Sequence, residues 1–354
     1  MHWDSTALHS NKFYSLSAFF LLLNLAQPAH SQALAEPLYK VSATKYLLGT
    51  KVDFIATHAS VLECKKAFYA AFQEIVRVGD LLNSRKENSE IARINHNAGR
   101  ASVHVTYETY AIIQRALRYA ESFDGYFDIS IGPVVKAWGF DGDREVAIPD
   151  EEMLGRLIGL VDFKSIVLSE QDTTVFLTQP GMLLDLGGIA KGYAIDRAAA
   201  VLQEHGVAHF LINAGGDIYA SGYKFGENKW RVGLQHPRQP NELLATFEVS
   251  GMAVATSGDY ERFKMIDGAR YHHIINPKTG FPARLNQSVT VFARSAEEAD
   301  VWATYLFIVG REQFRAENAY VTIEAMFVNA AGEVDCERDL ADAYGFAFQL
   351  KDGY

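Results

Sequence analysis

Cysteine is nearly missing: Cys64 and Cys336 are the only two in 354 residues. That excludes a structural zinc site built on thiolates, which draws four ligands mostly from Cys and His. Spacing alone does not decide whether the two pair, and two unpaired, buried thiols are expected. Runs of Lys and Arg are missing as well, and 33 basic against 43 acidic residues leave a net charge of −10. A nucleic-acid surface needs clustered excess cations, so nucleic-acid binding is excluded. No Pro-, Gly- or Ser-rich linker, internal repeat or low-complexity stretch interrupts residues 40–354. With 49% hydrophobic and 21% charged residues the chain reads as globular, with material for a large core. No apolar run is long enough to span a bilayer.

One short apolar run stands at the start. Lys12 precedes Phe13 to Leu25, and Pro28 and Ala29-His30-Ser31 follow. A cation, a short apolar stretch and a small-residue exit are the order of a secretory signal peptide. Residues 1–31 are therefore expected to be removed, leaving 32–354 as one exported, soluble, periplasmic unit of two lobes at most. No Cys lies near the cleavage region, which excludes a lipoprotein.

Apolar positions at helical spacing predict helices over Val61 to Leu82, Tyr107 to Phe123, 147–160, the stretch ending at His205, and Glu297 to Val309 before Gly310. Alternation predicts strands over Ser165 to Leu177, Lys229 to Leu234, Ala245 to Val249 and Ser288 to Ala293. A short apolar strand is expected to end at Gly132-Pro133. Strands and helices do not alternate as a doubly wound sheet requires. The fold class is α+β, with mainly antiparallel sheets and packed helices.

Four segments can carry chemistry. Leu184-Asp-Leu-Gly-Gly-Ile-Ala-Lys-Gly-Tyr193 places paired glycines before a helix, where backbone can approach a phosphate and Lys191 adds charge. It is neither a Walker loop nor GxGxxG. Phe127-Asp-Ile-Ser-Ile-Gly-Pro133 leads to Trp138 and Phe140, which read as core more readily than as a stacking platform. In Tyr271-His-His-Ile-Ile-Asn-Pro-Lys-Thr-Gly280, adjacent histidines on a strand point to opposite faces, so only one can serve a given pocket. Asp300 and Thr304, four apart on a helix, offer a carboxylate and a hydroxyl on one face, a hard pair that suits Mg²⁺.

In this order the segments resemble the ApbE family of FAD:protein FMN transferases, continuously from about residue 45 to 345. Ile212–Ile218 (INAGGDI) and Val254–Phe263 (VATSGDYERF) are further anchors. The resemblance implies an α+β fold with a ligand cleft between two lobes. It also implies an enzyme that splits FAD with Mg²⁺, releases AMP, and joins FMN through a phosphoester to a Thr or Ser of an acceptor flavoprotein. Carried over by motif, the Mg²⁺ ligands fall on Asp300, Thr304 and the carbonyl of Gly188. Flavin contacts fall on Leu48, Tyr126, Phe127, Asp128, Asp185, Lys191 and Ile274, and the catalytic His on His273. Export implies an acceptor such as a membrane redox-pump subunit or a periplasmic reductase.

Two positions depart from the family pattern. Arg85 stands where an aromatic residue is common, and Asn276 where the His motif is usually followed by Asp. Nearly the same residues would serve a Mg²⁺-dependent FAD pyrophosphatase with water as acceptor, and a non-catalytic FAD carrier is a third reading.

Overall fold

The computed structural model describes residues 37–140, 142, 145–317, 323–336 and 348–350, of which 317 and 348–350 by backbone alone. The expected signal segment lies outside them. In chain order the elements are β1 (Tyr39–Leu47), β2 (Thr50–His58), α1 (Val61–Leu82), α2 (Glu90–His96), β3 (Val103–His104), α3 (Tyr107–Ser122), α4 (Gly132–Trp138) and α5 (Glu151–Ile158). Next come β4 (Ile166–Ser169), β5 (Thr174–Leu177), α6 (Ala190–Glu204), β6 (Phe210–Ala214), β7 (Asp217–Ser221), β8 (Trp230–Gln235), β9 (Leu243–Val249) and β10 (Met252–Gly258). The chain then forms β11 (Phe263–Ile266), β12 (Ala269–His272), β13 (Asn286–Ala293), α7 (Ala296–Glu317), β14 (Glu324–Asn329), β15 (Val334–Cys336) and β16 (Phe348–Leu350).

Eight strands make the main sheet, ordered β1-β2-β6-β7-β10-β13-β14-β15, and every pairing is antiparallel. Side chains alternate between faces along each strand, and here the alternation divides two cores. Phe210, Ile212, Ala253, Ala255, Val289, Val291 and Phe327 join the helical core with α1, α6 and α7. Leu211, Val254, Phe292, Met326 and Val328 pack with Trp230, Val232, Phe247 and Val249 of the small sheet β16-β9-β8. Both faces of β13 are covered, and all eight of its residues are buried. The α+β expectation, with mainly antiparallel sheets, holds.

Helix ends follow local chemistry. Ser60, Thr106 and Asp150 accept backbone N–H groups at the starts of α1, α3 and α5, satisfying donors a helix cannot pair internally. The expected strand Ser165–Leu177 is instead a hairpin, β4 and β5, turned through 170–173 with Thr173 at φ 50°. The expected strand before Gly132-Pro133 is a turn. Asp128 accepts the Ser130 N–H at 2.8 Å, and Pro133 opens α4, where its fixed φ and missing N–H cost nothing. The stop read at Gly310 is real: Gly310 has φ 74° and ψ 167°, and helix resumes after it. No disulfide joins the cysteines; Cys64 is buried in α1 and Cys336 half-buried in β15.

The two expected lobes are parts of one unit that begins at Pro37. A smaller core of Val134, Trp138, Phe140, Leu154 and Ile275 faces the main one across a cavity. Trp138 is core, and its Nε1–H donates to the Gly280 carbonyl at 2.7 Å.

Charge fastens α1, α3 and α6 together. Glu74 accepts from Arg77 at 2.7 and 2.8 Å and from Arg197 at 3.0 Å. Glu108 accepts from Arg77 at 2.7 Å and from the Tyr193 hydroxyl at 2.7 Å. The Arg77 hydrogen bonds, against the opposing effect of burial, hold the Glu74 carboxyl down at about 2. A carboxyl depressed on folding stabilises above its unfolded value near 4.5, and that contribution is lost as pH falls through the folded value. Glu74→Gln is thus expected to destabilise clearly at pH 7 and much less at pH 2. Urea midpoints at both pH values check this, and equal losses at both would refute it.

Candidate functional site

Two residues, Leu48 and Gly49, close the β1–β2 hairpin between the paired Leu47 and Thr50. Both have positive φ, 54° and 73°, as a tight turn matching the strand twist requires. Gly suits this conformation, but Leu is strained in it. The turn lays the Leu48 side chain over Gly79 of α1 and into a cavity of about 770 Å³, a size usual for a drug- or cofactor-sized ligand. All eleven positions singled out from the sequence line this cavity: Leu48, Tyr126, Phe127, Asp128, Asp185, Gly188, Lys191, His273, Ile274, Asp300 and Thr304.

The glycine pair works by closeness. A Cβ on Gly188 would stand 3.0 Å from the Phe127 ring and 3.5 Å from the Thr304 hydroxyl, and one on Gly187 would meet Asp185 Oδ1 at 2.9 Å. Asp185 Oδ1 accepts the Gly187 N–H at 2.7 Å, which shapes the loop. The α6 helix that follows turns its positive dipole end toward the cavity, while its first-turn N–H groups are largely engaged, Ala190 with the Leu186 carbonyl at 2.8 Å and Gly192 with Asp300 Oδ2 at 3.0 Å.

Gly192 lets α6 meet the start of α7. A Cβ there would lie 2.3 Å from the Ala296 carbonyl. Asp196 accepts the N–H groups of Ala296 and Glu297 at 2.8 and 2.9 Å, and Asp300 Oδ2 accepts that of Gly192 at 3.0 Å. Gly192→Ala is expected to destabilise by about 1–3 kcal/mol. A thermal midpoint unchanged from wild type would show that the helices have room to spare.

At the cavity floor Lys191 Nζ lies 2.8 Å from Asp217 Oδ2. Burial works against the Lys191 charge, but Asp217, Asp300 and Glu261 outweigh it and raise its pKa. Asp300 is raised too, by burial first and then by Asp217 and Glu261, against the pull of Lys191 and the Gly192 N–H. Three carboxylates around one ammonium favour a further cation. Among the described residues no group of three His, Cys, Asp or Glu side chains is arranged as a metal cage. Asp300 and Thr304 line the cavity with Gly188, whose backbone passes close to the Thr304 hydroxyl; with the Gly188 carbonyl they would make a sparse, all-oxygen donor set. That fits Mg²⁺, which keeps waters and takes ligands from phosphate.

The two histidines divide as strand geometry requires. His272 Nε2 donates to the Ala283 carbonyl at 2.7 Å and its Nδ1 accepts the Ile274 N–H at 3.3 Å, a satisfied structural role. His273 faces the cavity, and its buried Nδ1 has no hydrogen-bond partner. Burial first, then the charges of Arg262, His272 and Lys191, hold its pKa well below 6.5.

Two positions read differently in three dimensions. Asp128 borders the cavity, yet its Oδ1 accepts from the Ser130 N–H and hydroxyl and its Oδ2 from the Phe163 N–H at 2.9 Å. Its carboxylate shapes the 126–131 turn. Asn276 Oδ1 accepts the Lys278 N–H at 2.9 Å, building the turn after the histidines. Asp217, Glu261 and Arg262 carried no assignment from the sequence, although each lies within an anchor motif. Lys191 and Asp217 meet only through space.

Residues 48–327 match the model of the ApbE family. A protein of Klebsiella pneumoniae named FAD:protein FMN transferase is 38% identical over 262 residues, covering 73% of this chain and 80% of its own. One of the same name from Treponema pallidum is 37% identical over 264 residues, covering 70% and 73%. Among solved structures, the ApbE protein of Thermotoga maritima superposes with a TM-score of 0.79 at 30% identity, over 87% of this chain and 99% of its own. The flavin transferase ApbE of Vibrio cholerae gives 0.74 at 26% identity, over 89% and 98%.

Proposed function

Since the chain belongs to the ApbE family, we propose that it is a FAD:protein FMN transferase that uses Mg²⁺. The observation that carries this reading is that eleven positions spread over 257 residues, from Leu48 to Thr304 (304 − 48 + 1), line one cavity.

The apolar and aromatic side chains of Leu48, Tyr126, Phe127 and Ile274 hold the flavin. Lys191, held by Asp217, and the N-terminal dipole of α6 direct positive charge toward the pyrophosphate of FAD. Asp300, Thr304 and the Gly188 carbonyl hold Mg²⁺, which supplies positive charge to the pyrophosphate. The His273 imidazole, held neutral near pH 7 by its lowered pKa, takes the proton of the acceptor hydroxyl. The hydroxyl oxygen bonds to the FMN phosphorus, the bond from that phosphorus to the bridging oxygen breaks, and AMP leaves with the electron pair.

We place the enzyme outside the cytoplasm on the basis of the 1–31 segment, as a soluble periplasmic protein with periplasm-facing flavoprotein acceptors. Among the described residues no helix is long and apolar enough to cross a membrane. The test is mass spectrometry after incubation with FAD, MgCl₂ and a flavoprotein subunit bearing an acceptor Thr. An FMN adduct with AMP release, both abolished by chelation, supports the transferase. AMP and free FMN without an adduct favour the pyrophosphatase, and intact bound FAD favours the carrier.

A further inference from the structure

The VATSGDYERF segment ends in a cation that the reading above leaves unused. Arg262 lines the cavity, and its carbonyl accepts the His273 N–H at 3.1 Å. The two residues form the rung beyond Phe263 and His272, the last pair of the β11–β12 ladder. That hairpin holds Arg262 and His273 beside each other, and the bond involves only backbone, so the fold makes no demand on the Arg262 side chain.

Other arginines nearby are occupied. Arg238 and Arg270 are ion-paired to Asp259 at 2.7 and 3.0 Å, and Lys191 has Asp217. The Arg262 guanidinium has no hydrogen bond or ion pair among the described residues, while its charged surroundings are Asp185, Glu261 and Arg85. The Arg262 side chain is exposed and borders the cavity, so its guanidinium is open to an anion that enters there. Its planar fork matches two phosphate oxygens.

Resting on the reading above, we propose that Arg262 is a catalytic residue: its guanidinium binds the non-bridging oxygens of the FMN phosphoryl group as that group changes hands. The neighbouring His273 fixes which phosphoryl is meant, because the base must stand where the acceptor oxygen meets phosphorus. During the step the attacking oxygen bonds to phosphorus, the bond to the AMP oxygen breaks, and the proton goes to His273. Arg262 exchanges no proton and holds the charge that builds on the two oxygens it contacts.

The experiment compares wild type, Arg262→Gln and Arg262→Lys, reading AMP release from FAD with MgCl₂ and acceptor, FAD binding by flavin fluorescence, and kcat/KM against pH. AMP release reports the same bond cleavage whether the acceptor is a protein or water. Arg262→Gln is expected to lower kcat about a hundredfold with a smaller change in FAD affinity. It is also expected to move the acid limb of kcat/KM to higher pH, because one of the cations opposing protonation of His273 is gone while Lys191 and His272 remain. Arg262→Lys keeps the charge, so the limb stays and part of the rate returns. A Gln variant within about threefold of wild type with an unmoved limb overturns the proposal, as does a Lys variant as slow as the Gln variant with both melting early. If wild-type protein releases no AMP, the enzymatic reading itself falls and this proposal falls with it.

Discussion

His273→Ala lowers FMN transfer by about 10²- to 10⁴-fold while FAD still binds. The backbone bond from the His273 N–H to the Arg262 carbonyl survives truncation, so the strand stays in place. The contacts assigned to the flavin lie on Leu48, Tyr126, Phe127 and Ile274 and survive it. Single-turnover adduct formation read by mass spectrometry, beside flavin fluorescence for binding, separates the two effects. A variant that still transfers at the wild-type rate removes His273 as the base. The pH dependence has a definite sign. Burial and the charges of Arg262, His272 and Lys191 depress the His273 pKa, so the base stays neutral as pH falls through 6.5. The acid limb of kcat/KM, which reports the free enzyme, therefore lies below the usual imidazole value.

Asp300→Asn removes the metal response. Its amide oxygen can still accept the Gly192 N–H, so α6 and α7 stay in register while the carboxylate is lost. Without metal the wild-type carboxyl is raised by burial and by Asp217 and Glu261. A carboxyl raised on folding stabilises fully below its unfolded value near 3.8, and this contribution disappears as pH rises through the folded value. Metal-free wild type thus loses stability toward pH 8 on account of this group, and the variant does not. Addition of Mg²⁺ at a hundred times its Kd stabilises wild type by about 2.7 kcal/mol, or several degrees in Tm, and leaves Asp300→Asn nearly unmoved. Turnover falls about 10²-fold or more in the variant. An equal rise in Tm with Mg²⁺ in both proteins would place the ion elsewhere.

Local periodicity made much of the framework legible. Val61–Leu82 is a helix end to end because Cys64, Ala67, Phe68, Ala71, Phe72, Ile75 and Val78 recur on its buried face. Reading failed where side chains turn the backbone. Neither the Asp128 to Ser130 bond nor the Ser169 to Asp172 bond that helps fold 170–173 alters apolar alternation, so both stretches passed for strands. The site was legible where helical spacing alone sets two side chains on one face, as with Asp300 and Thr304, which line the same cavity. Asp217 meets its partner only through space, and no spacing rule reveals that Lys191 will lie against a strand residue 26 positions on (217 − 191).

The contact between α6 and α7 owes nothing to the peptide that links them. Between their facing ends the chain travels through β6 to β13 and returns, yet Gly192, Asp196 and Asp300 lock the two helices directly. Connectivity and assembly are therefore separable in this protein. The exposed turn at Gly226 lies on that excursion, far along the chain from every locking residue. A chain opened there gives two halves, one carrying Gly188 and Lys191 and the other His273, Asp300 and Thr304. Each half is incomplete as a catalyst, and their interlocking surfaces make one split enzyme whose activity reports that the halves have met.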